Sequence, residues 1–298
     1  MVGFDPLVAA LASALFYGVS TYLGGQAAVQ IGVARSVGLF QVTAFALVVS
    51  LLVLTAQSDD LLRLGQVDWR LACASGICFA VGWAFLGHGL ARGHTTVVTP
   101  VECITSVTFC AIGEGLMVGW PSPVLVGGLA LAGSAAGLIG LGGRELVRYT
   151  MPVGQSVRFG MLAGIAFGLS YMTIGFVSAP TALCSLVVMR LFAASGSLAW
   201  LAVESASPAG KPGALAIVSP TLTKGRMYAF AGGILDGFGG LAFVVATVNG
   251  LVGISVAVMS LYAAVTVLLA LTFRNESLSF VQIVGLVGAA GAIVILSG

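Results

Sequence analysis

Charge is what this chain has least of. Of its 298 residues, 7% are Asp, Glu, Lys or Arg, where a soluble domain of ordinary composition carries about 25%. That is too little to coat a water-facing surface. The net charge of +2 excludes the basic face that a nucleic-acid binder needs. The five cysteines (Cys73, Cys78, Cys103, Cys110 and Cys184) lie in apolar stretches. They form no CxxC pair and no Cys/His cluster at metal-ligand spacing. They read as small apolar packing residues, and no metal or other cofactor is expected. No GxxxxGK[ST] loop occurs, so ATP is not expected to drive the protein. The chain also lacks HExxH, GxSxG and facing catalytic carboxylates, which leaves an intramembrane enzyme a remote alternative. A channel is disfavoured because no charged ring or filter-like repeat is present. No cleavable leader is expected, since the first apolar stretch follows Phe4-Asp5-Pro6 without a basic segment before it.

What is abundant is apolar surface. Hydrophobic residues make up 59% of the chain, and the 42 glycines raise that to about 73%, against roughly 45–50% in soluble proteins. A membrane-crossing helix needs about 20 apolar residues. Cutting the chain at charges, prolines and polar clusters leaves ten such stretches, near 6–31, 36–56, 70–91, 95–118, 121–142, 155–177, 180–203, 225–248, 250–272 and 279–297. The longest connection, 204–224, is rich in Pro, Ser, Gly and Lys and is expected to be an exposed loop. The expected fold is an all-α integral membrane protein of ten helices.

The two halves echo each other. Tyr17-Gly18-Val19-Ser20 in the first stretch meets Phe167-Gly168-Leu169-Ser170 in the sixth, at an offset of 150. Gly76, Gly82 and Gly93 meet Gly233, Gly239 and Gly250 at 157, and Gly127 and Gly133 meet Gly285 and Gly291 at 158. An ordered series with a slowly growing offset points to two five-helix repeats, over 6–145 and 153–297. After five crossings the second copy enters from the opposite side, so the repeats are inverted, the architecture of alternating-access transporters. With the termini on one face, that face carries Arg63 and Arg70 alone. The other carries nine basic residues, Arg35, Arg158 and Arg226 among them. Positive residues mark the cytoplasm, so both termini are expected outside.

Several residues could line a path between the halves. On one helical face, the first stretch aligns Ser13, Tyr17, Ser20 and Gly24, the fourth Thr95, Thr99, Glu102, Ser106 and Phe109, and the ninth Ser255, Met259, Tyr262 and Thr266. Such stripes face either protein or a watery cavity. Pro100 bends the fourth helix beside its stripe, as a packing kink or a gate. Glu102, Arg190 and Asp236 are ionisable groups inside spans, which need a reason to be there. Either acid suits an ammonium and Arg190 suits a carboxylate, or Arg190 pairs with an acid as a structural tie. Phe79 and Trp83, one turn apart, could stack with Tyr17 or Tyr171 on an aromatic substrate, or fill the core. Trp69, Trp120 and Trp200 lie near span ends and read as interface residues. His88 lies about 140° around the helix from Trp83 and reads as an interior polar residue. The rows Gly160/Gly164/Gly168 and Gly133/Gly137 read as close-packing surfaces.

The aromatic-Gly-aliphatic-Ser elements, Arg190-Leu191-Phe192-Ala193, and Glu276 followed by Gly285, Gly288 and Gly291 carry a resemblance to the drug/metabolite transporter superfamily, EamA type. The resemblance spans nearly the whole chain. The first half departs from the pattern, with Gln41 where the repeat calls for an arginine and Trp120-Pro121-Ser122-Pro123 inserted after Glu114. Within that superfamily the chain is most similar to the aromatic amino acid exporters. The resemblance implies efflux of aromatic and other neutral amino acids across the cytoplasmic (inner) membrane, with small-molecule substrate and lipid bilayer as partners. The stripes, the charges inside spans and the ring positions give the candidate lining set: Tyr17, Ser20, Phe79, Trp83, Thr99, Glu102, Tyr171, Asp236 and Tyr262, with Pro100, Arg190 and His88 in gating or structural places. Export of sugars, nucleobases, drugs or other metabolites is the alternative. The superfamily's small multidrug exporters carry a carboxylate in the middle of the first helix, whereas here that helix has only Asp5 at its mouth. Proton coupling through Glu102 or Asp236 and facilitated efflux are both open.

Overall fold

The computed structural model describes residues 5–55, 58–92, 95–117, 119, 122–141, 152–206, 220–249, 252–274 and 280–297. Eleven α-helices follow one another: α1 (Pro6–Ile31), α2 (Val33–Leu54), α3 (Gln66–Arg92), α4 (Thr95–Met117), α5 (Pro123–Leu141), α6 (Val153–Gly175), α7 (Ala182–Ala206), α8 (Pro220–Asn249), α9 (Val252–Met259), α10 (Tyr262–Arg274) and α11 (Phe280–Ser297). Two short 3-10 turns, Ser58–Arg63 and Ala179–Thr181, complete the described elements. Six of the helices are long and apolar enough to cross a membrane, and the chain is an all-helical, multi-pass membrane protein by that measure. With no water at the bilayer centre, only an element that satisfies its own backbone can cross it, and a helix does.

Helix ends follow local chemistry. Asp5 accepts from the Leu7 amide at 2.8 Å, and Pro6 occupies the first helical position, where its missing N–H costs nothing. α1 and α2 are separated by Gly32 alone, at φ +84°, a backbone angle that L-residues with a side chain adopt at a cost. α8 begins at Pro220 and runs 30 residues. At 1.5 Å per residue that is about 45 Å, well beyond the roughly 30 Å hydrocarbon core. The helices on either side therefore take up both ends of the connection expected at 204–224, and the Ser/Pro/Lys run between them, 207–219, lies outside the described residues.

The stretch expected as one helix over 250–272 is divided. α9 ends at Met259 and α10 begins at Tyr262. Between them the amides of Leu261, Ala263 and Ala264 bond three residues back rather than four, the tighter winding typical of a hinge. No proline or glycine falls at the break. Contacts from α4 hold both pieces: Glu114 accepts from the Val252 amide at 2.9 Å and the Gly253 amide at 2.6 Å, and Glu102 accepts from the Tyr262 hydroxyl. A carboxylate on free amides at a helix start is favourable for charge and for hydrogen bonding.

Packing follows the glycines. α1 lies chiefly on α8, α3 on α6 and α7, α2 on α8 and α7, α4 on α6, and α5 on α11. The row Gly160/Gly164/Gly168 faces α4, where a Cβ at 164 would sit 2.6 Å from the Glu102 carbonyl oxygen. Hydroxyls tie the same pairs: Ser13 donates to the Gly239 carbonyl at 2.9 Å, and Ser75 to the Ser170 carbonyl at 2.9 Å. Such close approach supplies the dispersion and hydrogen bonding that hold helices together where lipid offers no hydrophobic drive.

Candidate functional site

Two polar clusters lie inside the bundle. The first is centred on Arg190 of α7, fully buried. Its Nη1 pairs with Asp236 Oδ2 of α8, its Nη2 donates to the Asp236 carbonyl at 3.0 Å, and Nη1 reaches Gln41 Oε1 of α2 at 3.4 Å. The guanidinium lies 4.7 Å from the centre of the Phe79 ring on α3, a cation–π arrangement. Tyr17 of α1 brings its hydroxyl beside the same guanidinium. The glycine run around Asp236 makes room for this. A Cβ at Gly240 would stand 2.6 Å from Nη2, and one at Gly239 3.1 Å from the Tyr17 ring.

The second cluster is centred on Glu102 of α4, also fully buried. Tyr262 donates its hydroxyl to Oε2, and the Cys103 thiol lies 3.5 Å from the same oxygen. Cys103 also reaches the Ser260 carbonyl, at the break before α10, at 3.6 Å. Among the described residues no cation pairs with Glu102, and Oε1 has no hydrogen-bond partner. The Thr99 hydroxyl, one turn away on the same helix, is buried and unpartnered as well.

Aromatic rings run between the clusters. Phe40 and Trp83 are 4.5 Å apart, Trp83 and Phe167 6.1 Å, Phe167 and Tyr171 5.9 Å, and Tyr171 and Phe243 5.2 Å between ring centres. Phe79 packs edge-on against Phe167 at 5.3 Å. Tyr171 lies within electrostatic range of Tyr17, Asp236 and Glu102.

Of the candidate residues, the structure brings together Tyr17, Phe79, Trp83, Glu102, Tyr171, Asp236 and Tyr262, with Arg190 as the centre of the first cluster. Ser20 is buried one turn along α1 from Tyr17. Pro100 falls within α4, its side chain outside the described residues. His88 is elsewhere: half-buried, with Nδ1 2.9 Å from the Ala84 carbonyl and its ring against Phe159 and Trp200. It lines a lateral groove of about 480 Å3 between α3, α6 and α7. Three participants were not singled out from the sequence. Gln41 was noted only as a departure from the repeat, Glu114 only as a landmark, and Phe167 only as part of a repeat element. Asp68, at the start of α3, serves the fold instead. It accepts from the Ser178 amide and hydroxyl, each at 3.2 Å, and from the Thr181 hydroxyl at 2.7 Å, tying down the turn between α6 and α7.

Buried polar atoms in native proteins nearly all have partners. Nine side-chain atoms here have none among the described residues, and seven belong to the region just described: those of Ser20, Gln41, Trp83, Thr99, Glu102, Arg190 and Asp236. They supply acceptors (Glu102 Oε1, Asp236 Oδ1) and donors (Trp83 Nε1, Arg190 Nε, Gln41 Nε2) within the bundle.

No family model matches the sequence, and no curated protein does. Solved structures share the fold. One of them, described simply as the crystal structure of a protein, aligns with a TM-score of 0.72 over 98% of this chain and 96% of its own, at 11% identity. At that identity the likeness is one of fold alone.

Proposed function

We propose that the chain is a secondary transporter that exports aromatic and other neutral amino acids by alternating access, with ten crossings arranged as two inverted five-helix repeats. The carrying observation is the concentration of unpartnered donors and acceptors between Arg190 and Glu102. An amino acid zwitterion needs an acceptor for its ammonium and donors for its carboxylate. Glu102 Oε1, which lacks any cationic neighbour, suits the first, and Arg190 Nε with Trp83 Nε1 suits the second. The rings of Phe79, Trp83, Phe167 and Tyr171 offer an aromatic side chain edge and face contacts. The groups are buried, as they would be in the closed middle state of an alternating-access cycle.

The repeat reading draws on the packing pattern. Exchanging the halves turns the α1–α8 contact into α6–α3 and α2–α8 into α7–α3, while α2–α7 and α5–α11 map onto themselves. The contact of α4 with α6 has its counterpart in that of α9 and α10 with α1. A pseudo-two-fold axis between the halves accounts for all of these, and the likeness to drug/metabolite transporters of the EamA type supports the same arrangement.

The test is counterflow in liposomes loaded with unlabelled amino acid. Labelled tryptophan and phenylalanine should accumulate above protein-free vesicles, and threonine less. No accumulation of any amino acid overturns the substrate class, and exchange of a sugar or nucleobase instead moves the reading to the other metabolite exporters. A reporter fused to the C-terminus should be active only outside the cytoplasm, which the nine-to-two distribution of basic residues predicts.

A further inference from the structure

A second groove, where α1, α2, α7 and α8 meet, is built unlike the central clusters. It opens on the flank of the bundle and holds about 460 Å3. Leu39 and Val42 of α2 and Leu198 and Leu201 of α7 form its walls, and Arg35 and Arg226 stand in it at the basic end of the bundle. Leu39, Val42 and Leu198 keep 39, 38 and 46% of their surface exposed, so whatever wets the flank wets them. From Arg35 to Val42 the groove follows α2 for about 10 Å. Two cations at one end thus lead into an apolar trough that descends along the helix. No carboxylate lines it, and neither arginine has an ion-pair partner among the described residues. Gly38 keeps the floor open: a Cβ there would only just touch Leu201 at 3.6 Å and Leu198 at 3.9 Å.

We propose that this groove is a binding site for one anionic phospholipid, its phosphate held between Arg35 and Arg226 and one acyl chain lying along Leu39, Val42, Leu198 and Leu201. The charge and the shape each select the ligand. Two guanidiniums facing one phosphate leave a positive excess that a choline or ethanolamine headgroup would worsen and an anionic headgroup relieves. A free phosphate would fill the charged end and leave the apolar trough unused. Basic pockets between membrane helices are the general form of such headgroup sites. The groove lies on the outer side of the α2–α7 seam, whose inner side carries Gln41 and Arg190. A lipid there bridges α2, α7 and α8 and braces the seam from outside. The inference requires only that the helices cross a membrane, and it stands apart from the transport reading.

The experiment is native mass spectrometry of the purified protein with phosphatidylglycerol and phosphatidylcholine of identical chains, and with glycerol 3-phosphate as the headgroup without tails. Wild type should retain phosphatidylglycerol in preference to phosphatidylcholine, and glycerol 3-phosphate should not displace it. Arg35→Ala and Arg226→Ala should each lower that preference about fivefold, as expected for about 1 kcal/mol per arginine near the surface, and the double variant should abolish it. Gly38→Leu should reduce retention of both lipids by filling the trough with the arginines in place. Arg158→Ala, at the same end but outside the groove, should change nothing. Thermal unfolding of wild type in the two lipids gives an independent reading and should be later in phosphatidylglycerol. Undiminished preference in the double variant, an equal loss from Arg158→Ala, no lipid-dependent shift in wild-type unfolding, or displacement by glycerol 3-phosphate would overturn the proposal.

Discussion

The Arg190 and Glu102 clusters share one interior at equal burial and follow opposite rules. Arg190 is matched: an ion pair to Asp236, a carbonyl, an amide oxygen and a ring face take up most of what the guanidinium can give. Glu102 is unmatched, with a neutral phenol and a thiol on one oxygen, no hydrogen-bond partner on the other, and only the neutral Ser106 hydroxyl besides. The matched cluster joins five uninterrupted helices, α1, α2, α3, α7 and α8. The unmatched one sits across from the break between α9 and α10, where three amides bond three residues back instead of four. A balanced pair suits a tie that holds through a conformational cycle, and an unbalanced acid beside a hinge suits a group that changes partners during it.

The comparison breaks most visibly at Arg190. Arg190→Ala leaves the Asp236 carboxylate buried without its cation and should cost about 3–5 kcal/mol, read as a large fall in the detergent melting temperature. Arg190→Met combined with Asp236→Leu removes both charges and should recover most of that loss. A single variant as stable as wild type would deny the tie. Gly240→Ala tests the same cluster through space rather than charge. Its methyl would push against Nη2, and overpacking of this kind should cost about 1–3 kcal/mol, while Ala at the open Gly154 should be neutral.

At the start of α9, Glu114→Ala removes the acceptor from its two leading amides and should cost about 1–2 kcal/mol, as loss of a helix cap does. Glu114→Gln keeps one acceptor and should cost less. Hydrogen exchange at Val252 and Gly253 separates the variants, with both amides protected in wild type and exposed in Glu114→Ala. Equal protection in all three would mean that α9 is held by packing alone.

These differences mark what the sequence could carry. The apolar stretches became helices because composition and length settle that in lipid, and the row Gly160/Gly164/Gly168 found a close neighbour because small residues have few other uses in a bundle. Arg190, Asp236 and Glu102 stood out because an ionisable group in a span needs a reason. Arg190 pairing with an acid is one of the readings the sequence offers, but which acid it meets is not legible, since Arg190 is 46 residues from Asp236 and 149 from Gln41, and a helical period says nothing about which faces meet. The break at Ser260–Leu261 was hidden for the same reason. No residue there disfavours a helix, and the side chains that contact the two pieces, Glu102 and Glu114, lie 160 and 138 residues earlier than their partners. The angle between His88 and Trp83 around α3 is by contrast a local quantity, and their rings meet different neighbours.

A small change in stability is expected at Glu102, the residue on which the transport proposal leans most. Glu102→Gln keeps the size of the side chain and an acceptor for the Tyr262 hydroxyl, so the fold should lose less than about 1 kcal/mol. An ammonium brought to this position loses its charge partner. A hydrogen bond to a charged group is worth about 1.5–3 kcal/mol, so exchange of labelled tryptophan should fall tenfold or more. Tyr262→Phe removes the neutral donor and leaves the carboxylate, so it should cost stability without abolishing exchange. If instead Glu102→Gln exchanges tryptophan at the wild-type rate while Tyr262→Phe does not, the phenol rather than the acid serves the solute. The contrast between a matched and an unmatched cluster would then say nothing about transport.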